Sequence, residues 1–201
     1  MSKKHSPIVE GIITQLKSDD EWAKIQACLE ITSGGVWPTE SEYNAMLDEL
    51  KRQGISEVII CDFGYLGTYI VSSLIKLTPV DSCFDYVSSM INNPLQLEIF
   101  YEGVTEYFQN CRFGDAKAER LMGLLLLRIS KVPEEEQLLI ASSIELATCE
   151  LGISALRLVR KIPEVIPNLP AKCQGELRQS IEYVTAKRNF EDLKRLKSSK
   201  K

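Results

Sequence analysis

The chain of 201 residues contains a single histidine, His5, and this scarcity restricts its chemistry. Histidine changes charge near neutral pH and is the usual general base of nucleophilic catalysis. Schemes that pair serine or cysteine with histidine would all depend on that one residue. The segment Ser73-Leu74-Ile75-Lys76 has the spacing of a serine acyl-enzyme motif, but its companion motifs are missing. We interpret it as ordinary helix.

The motifs that bind nucleotides and metals are also missing. The sequence has no Walker A loop, no GxGxxG and no HExxH, and its six cysteines form no CxxC pair. We expect these cysteines to be free thiols, mostly buried as small apolar side chains, as is typical of a reducing compartment. We therefore predict a protein that is not an enzyme and that has no cofactor, no metal and no small-molecule substrate.

Long apolar runs are absent as well. The longest strongly apolar run is Leu124–Leu127, far short of the roughly 20 residues that span a bilayer. The N-terminus lacks the apolar core and the small-residue cleavage site of a signal peptide. We expect a cytoplasmic protein with no membrane partner.

What the sequence does contain is a helical period of apolar residues through most of its length. Helix-start signals accompany it. They are two capping boxes, Ser18–Glu21 and Thr39–Glu42, the capping residues Asp81 and Asp115, and Pro94 at a helix start. We predict an all-α fold of about ten helices in antiparallel pairs.

Residues 56–77 fit this pattern least well. Val58–Cys61 could form a buried strand, but a lone strand among helices would have no partner. We interpret the segment as two short helices or one broken helix.

Helix pairs recur at roughly 40-residue intervals over residues 19–186. This spacing resembles the HEAT/armadillo class of helical repeats, which implies a right-handed solenoid. An irregular helical bundle fits the pattern as well. We predict one all-helical domain over residues 1–186, with an acidic half at 5–110 and a neutral half at 111–186. Residues 187–201 would form a basic helix end and tail.

Charge is sorted along the chain. Residues 5–110 carry sixteen acidic and five basic side chains, residues 111–186 carry ten of each, and residues 187–201 carry seven bases and two acids. Such sorting sets a field that acts on partners, and the acidic part favours a basic protein. The basic tail has one aromatic residue, Phe190, which keeps helical spacing with Leu193 and Leu196. Its bases suit the negative end of a helix dipole, so we do not expect nucleic-acid binding.

Three carboxylates, Glu98, Glu102 and Glu106, recur at four-residue intervals and have no basic residue three or four positions away. Like charges at this spacing cost a helix a few tenths of a kcal/mol per pair. One interpretation is a solvated face, neutralised by a base from another helix. The other is a docking surface for a cationic partner. Its candidate residues are the three glutamates together with Asp62, Tyr65, Tyr69 and Tyr101.

The chain is similar in type to bacterial immunity proteins that neutralise a cognate nuclease toxin. The likeness implies a soluble, acidic, helical inhibitor that occludes a basic phosphate-binding site. A HEAT-like adaptor that binds a basic protein segment is the alternative, and it would use the same surface. An enzyme that relies on carboxylates alone would instead need a concave pocket holding a desolvated acid.

Overall fold

The computed structural model describes residues 7–34, 38–111 and 115–198. Helices, turns and loops make up these ranges, and no strand occurs in them, so the predicted all-α class is confirmed. The chain separates into two compact units, Met1–Asn110 and Cys111–Lys201. This boundary coincides with the change from acidic to neutral sequence. The prediction of one cooperative domain over residues 1–186 stays a prediction.

Within the described residues, the first unit contains six helices and the second contains three longer helices and two single turns. In the first unit they are α1 (Pro7–Leu16), α2 (Glu21–Thr32), α3 (Glu40–Gln53), α4 (Leu66–Leu77), α5 (Val80–Ser88) and α6 (Pro94–Gln109). In the second they are α7 (Ala116–Arg128), α8 (Glu134–Leu151), α9 (Leu156–Val159), α10 (Ile162–Val165) and α11 (Ala171–Ser198).

Several helices start where the sequence signals place them. The Glu42 carboxylate accepts hydrogen bonds from the backbone N–H and the hydroxyl of Thr39, both at 2.7 Å, which is the predicted box. Asp115 caps α7 by accepting from the backbone N–H groups of Lys117 and Ala118. Pro94 is the first residue of α6.

Two helix starts differ from the sequence prediction. Asp20, not Ser18, caps α2, because its carboxylate accepts from the backbone N–H of Trp22. Helix α5 begins at Val80, one residue before the predicted cap, and the Asp81 side chain lies outside the described residues. The side chains of the basic tail from residue 192 onwards also lie outside them.

Helix α4 forms the centre of the first unit, where it contacts α2, α3, α5 and α6. Its buried residues occur on all sides of the helix rather than along one stripe. The buried hydroxyl of Ser73 donates to the carbonyl of Cys28 on α2, at 3.2 Å. A helix enclosed in this way has little room for charge, and Lys76 in its last turn is its one charged residue.

Two glycines allow α4 and α6 to pack very closely. A Cβ atom at Gly103 would lie 2.5 Å from the Cβ of Val71, and one at Gly67 would lie 2.7 Å from the Cγ2 of Ile99. The contacts advance by four residues along both helices, so α4 and α6 run in the same direction. Real Cβ atoms do not approach so closely, so a larger residue at Gly103 must displace a helix. A larger residue at Gly67 must also displace the loop at Ser56, whose carbonyl oxygen would lie 2.5 Å from the added Cβ.

The segment 56–65 is a hairpin-like loop, and the predicted helix there is wrong. Ile59 forms an antiparallel bridge with Tyr65, and the backbone N–H of Leu66 donates to the carbonyl of Val58 at 2.9 Å. A 3-10 turn at Cys61–Phe63 reverses the chain, followed by Gly64 with a φ of 77°. The extended residues before the turn therefore pair with the residues that follow the turn.

In the second unit, α8 packs along α11. The Ser142 hydroxyl donates to a carboxylate oxygen of Glu176 across this contact, at 2.7 Å. The proline-rich segment 162–170 forms the single turn α10 and a 3-10 turn at Ile166–Asn168. Its three prolines lack a backbone N–H, which keeps the helical pieces of this segment short.

The α4–α6 packing predicts a large effect from one added methyl group. We expect Gly103→Ala to lower the free energy of unfolding of the first unit by roughly 1–3 kcal/mol, because the helices must separate. Gly11→Ala is the matched control, since position 11 lies in α1 and has no neighbouring atom within 4 Å of an added Cβ. That change should be neutral or stabilise by up to about 1 kcal/mol through helix propensity. Urea denaturation followed by circular dichroism measures both, and equal effects would contradict the close packing.

Candidate protein-binding surface

The three glutamates of α6 form a stripe on the outer side of that helix, which we call the acidic stripe. Glu98 and Glu102 are exposed and Glu106 is half-buried. The opposite side of α6 is buried through Ile99, Phe100, Gly103, Val104, Tyr107 and Phe108. The amphipathic pattern of α6 thus positions the carboxylates toward solvent.

The neighbours of the acidic stripe are neutral hydrogen-bond donors. The Thr68 hydroxyl on α4 donates to Glu102 Oε2 at 3.0 Å, and Asn110 Nδ2 donates to Glu106 Oε1 at 2.7 Å. Within the described ranges, none of the three carboxylates forms an ion pair. The neutralising base that a purely solvated face would borrow from another helix is therefore not found among these residues.

Tyr69 joins the acidic stripe to the 56–65 loop. Its hydroxyl donates to the backbone carbonyl of Phe63 at 3.1 Å. Burial raises the pKa of the Tyr69 hydroxyl, and the negative charge of Glu106 raises it further. Tyr65 is half-buried in the same loop, opposite Ile59. The structure thus brings Tyr65, Tyr69 and the stripe together.

Tyr101, which the sequence places on this surface, is a core residue instead. Its side chain is 2% exposed, and its ring packs edge-on against Phe100 with centroids 4.9 Å apart. Tyr101 lies at the border of the buried face of α6, and a large ring there gains more from burial than from contact with water. The side chain of Asp62 lies outside the described residues.

An exposed apolar cluster beside the stripe was missed from the sequence, and we call it the apolar loop. It consists of Val58, Ile59, Phe63 and the neighbouring Trp22, which are 43%, 65%, 47% and 42% exposed. The rings of Trp22 and Phe63 lie 4.7 Å apart. The run at 58–61 was its sequence signal, but that run suggested a buried strand, whereas the hairpin turns these side chains outward.

The cysteines are less uniformly buried than expected. Cys28 and Cys173 are buried, whereas Cys61 in the 56–65 loop is exposed. Burial raises the pKa of the Cys28 thiol to about 12, so this thiol is inert at neutral pH. Across the described ranges, no three side chains of the His, Cys, Asp and Glu types gather as metal ligands do. Nor does any helix there combine the length and the apolar character needed to cross a membrane.

The electrostatic interaction between Glu106 and Tyr69 can be tested by titration. We expect Glu106→Gln to lower the pKa of Tyr69 part of the way to its ordinary value, because the negative charge disappears while burial remains. Because the folded state holds the Tyr69 proton more tightly than the unfolded chain, this group makes stability fall as the pH rises through about 10. Tyrosine carbon resonances, assigned with Tyr69→Phe, report the pKa. Glu98→Gln serves as the control. An unchanged Tyr69 pKa in Glu106→Gln would refute the electrostatic interaction between Glu106 and Tyr69.

Comparison of the chain with protein-family models, with curated proteins and with solved structures gives no match. The resemblance to HEAT repeats and to immunity proteins therefore stays a prediction. The functional argument depends on the surface itself.

Proposed function

We propose that the first unit binds a basic protein through the acidic stripe and the apolar loop. The observation that carries this proposal is their continuity. The carboxylates form no ion pair in the described part of the chain, and Tyr69 links them to the exposed apolar side chains. Its hydroxyl donates to the Phe63 carbonyl, and the negative charge of Glu106 is close enough to raise its pKa. An apolar centre beside a charged border is the usual anatomy of a protein interface.

The two parts of the surface have different physical roles. Carboxylates in water attract a cationic partner over several ångströms, which raises the association rate, and salt screens this effect. The exposed side chains Trp22, Ile59 and Phe63 lose contact with water when they are covered, at about 25 cal/mol per Å² of apolar surface. Large aromatic residues of this kind dominate measured binding energies. The stripe therefore sets the rate of capture and the loop slows dissociation.

We further propose that the partner is a toxin of the nuclease type and that this protein is its immunity protein. A nuclease must present cations to the phosphates of its substrate, and an acidic face can cover the same cations. Inhibition by this route needs no catalytic residue of the inhibitor. An adaptor for a basic segment would use the same surface but would leave the activity of its partner unchanged.

The test begins with capture from the native host, using wild-type protein and the triple variant Glu98→Lys/Glu102→Lys/Glu106→Lys. A matched control reverses three other exposed acids of the same unit, Glu10, Glu30 and Asp48, so that its net charge changes equally. We expect wild type and control to retain a protein with a basic surface and the stripe variant to lose it. Equal retention by all three proteins, each folded by circular dichroism, would refute the acidic stripe as a docking surface.

Kinetic measurements on the purified partner separate the two roles. We expect the stripe variant to lower the association rate by tenfold or more at low salt, with a smaller effect at high salt. Phe63→Ala, a change at a half-exposed loop position, should mainly raise the dissociation rate. If the partner is a nuclease, an equimolar amount of wild-type protein should abolish cleavage of DNA or RNA. Binding without inhibition would favour the adaptor.

A further inference from the structure

The second unit contains a groove that has no part in the proposed function. It lies between α7 and the single turns α9 and α10, and its volume is about 300 Å³. Its floor is apolar and includes Gly123, Leu124, Leu158 and Val165. A Cβ atom at Gly123 would lie 3.6 Å from Leu158 Cδ2, so the missing side chain at this position helps to keep the groove open.

The rim of the groove is cationic. Arg120 and Lys161 line it, and Arg157 and Arg160 join them in an adjoining depression. Two acids, Glu119 and Glu164, lie among these four bases, which leaves a local excess of positive charge. Arg157, Arg160 and Lys161 are exposed, and none of them forms an ion pair with another described residue. A ligand with an apolar part and an anionic part would match both regions.

The open shape and the lining of the groove restrict the class of ligand that it can bind. Leu127, at its edge, is 65% exposed, so the groove is open and would leave a small molecule largely in water. None of the described residues that line it is aromatic, so the bases of a nucleic acid would find no ring to stack on among these residues. A peptide segment can insert one side chain and extend beyond the opening, and carboxylates along it would meet the guanidinium groups of the rim.

We infer that this groove binds an acidic peptide segment of a second partner. A bulky apolar side chain of that segment lies over Gly123 and Leu124, and its flanking Asp or Glu side chains pair with Arg157, Arg160 and Lys161. The inference does not depend on the proposed function, because the two surfaces share no residue. It adds an interaction surface of opposite sign within the same chain.

Peptide selection tests this inference without assuming a sequence. The probe is a library of random 12-residue peptides displayed on phage and selected on the immobilised full chain, followed by fluorescence anisotropy of the synthetic peptides. We expect enriched peptides to combine Asp or Glu with Leu, Ile or Phe. Their affinity should fall at least tenfold in Arg157→Glu/Arg160→Glu and in Gly123→Phe, which fills the floor and leaves the rim charges intact.

Two further variants keep the result interpretable. Leu127→Glu changes an exposed side chain, so the fold should survive, and it should weaken the same peptides by repelling their carboxylates. Lys172→Glu/Arg178→Glu reverses two exposed bases on α11, outside the residues that line the groove, and should leave the affinity within about twofold. All variants are compared by circular dichroism and thermal melting.

Three results would overturn the inference. The first is a selection that does not follow charge: either neutral or basic peptides are enriched, or the enriched acidic peptides bind Arg157→Glu/Arg160→Glu and Leu127→Glu as tightly as wild type. The second is a wild-type dimer in analytical ultracentrifugation that both groove variants abolish, which would assign the groove to a second copy of the chain. The third is co-sedimentation with phosphatidylserine-containing vesicles that the groove variants lose, which would assign it to anionic lipid.

Discussion

The close contact between α4 and α6 fixes the geometry of the whole candidate surface. Gly103 lets α6 approach Val71, and Gly67 lets the loop approach the start of α4, where the backbone N–H of Gly67 donates to the carbonyl of Ser56 at 3.0 Å. The same two turns of α4 carry Thr68 and Tyr69. Any separation of α4 and α6 would therefore move the acidic stripe away from the apolar loop.

The placement of charge follows from the burial of α4. A helix surrounded by other helices cannot hold many ionised groups, because removing a charge from water is costly unless it is paired. The acids of this region consequently lie on α6 and on the loops, while α4 offers the Thr68 hydroxyl to Glu102 and the Tyr69 hydroxyl to the backbone carbonyl of Phe63. The negative charge at this surface thus follows from the exclusion of charge from the core. Only the lack of basic residues paired with these acids, within the described ranges, needs a functional explanation.

Most local features of the fold could be predicted from sequence, although the starts of α2 and α5 differ, and tertiary features could not. The Thr39 box, the Asp115 cap and the Pro94 start depend on neighbours within three residues, and the structure has all of them. The spacing of the acidic stripe is equally local.

The burial of Tyr101 and the exposure of Ile59 depend on what packs against α6 and on how the loop turns. Periodicity gives the angle of a side chain around a helix, but it does not give the width of the buried face. The apolar run at 58–61 illustrates the same limit, since its β-like composition is satisfied by a single bridge with Tyr65.

The division of charge also bears on how one chain would serve the two partners that we propose. The acidic surface lies in the first unit and the cationic groove in the second, so each attracts ligands that the other repels. Repulsion of the wrong partner contributes to specificity as much as attraction of the right one. Each surface also joins its charges to apolar side chains, so salt would weaken the steering at both while the apolar contacts persist. If the chain binds both proposed partners, the separation of charge between the units would let each unit select its partner by the sign of its charge as well as by shape.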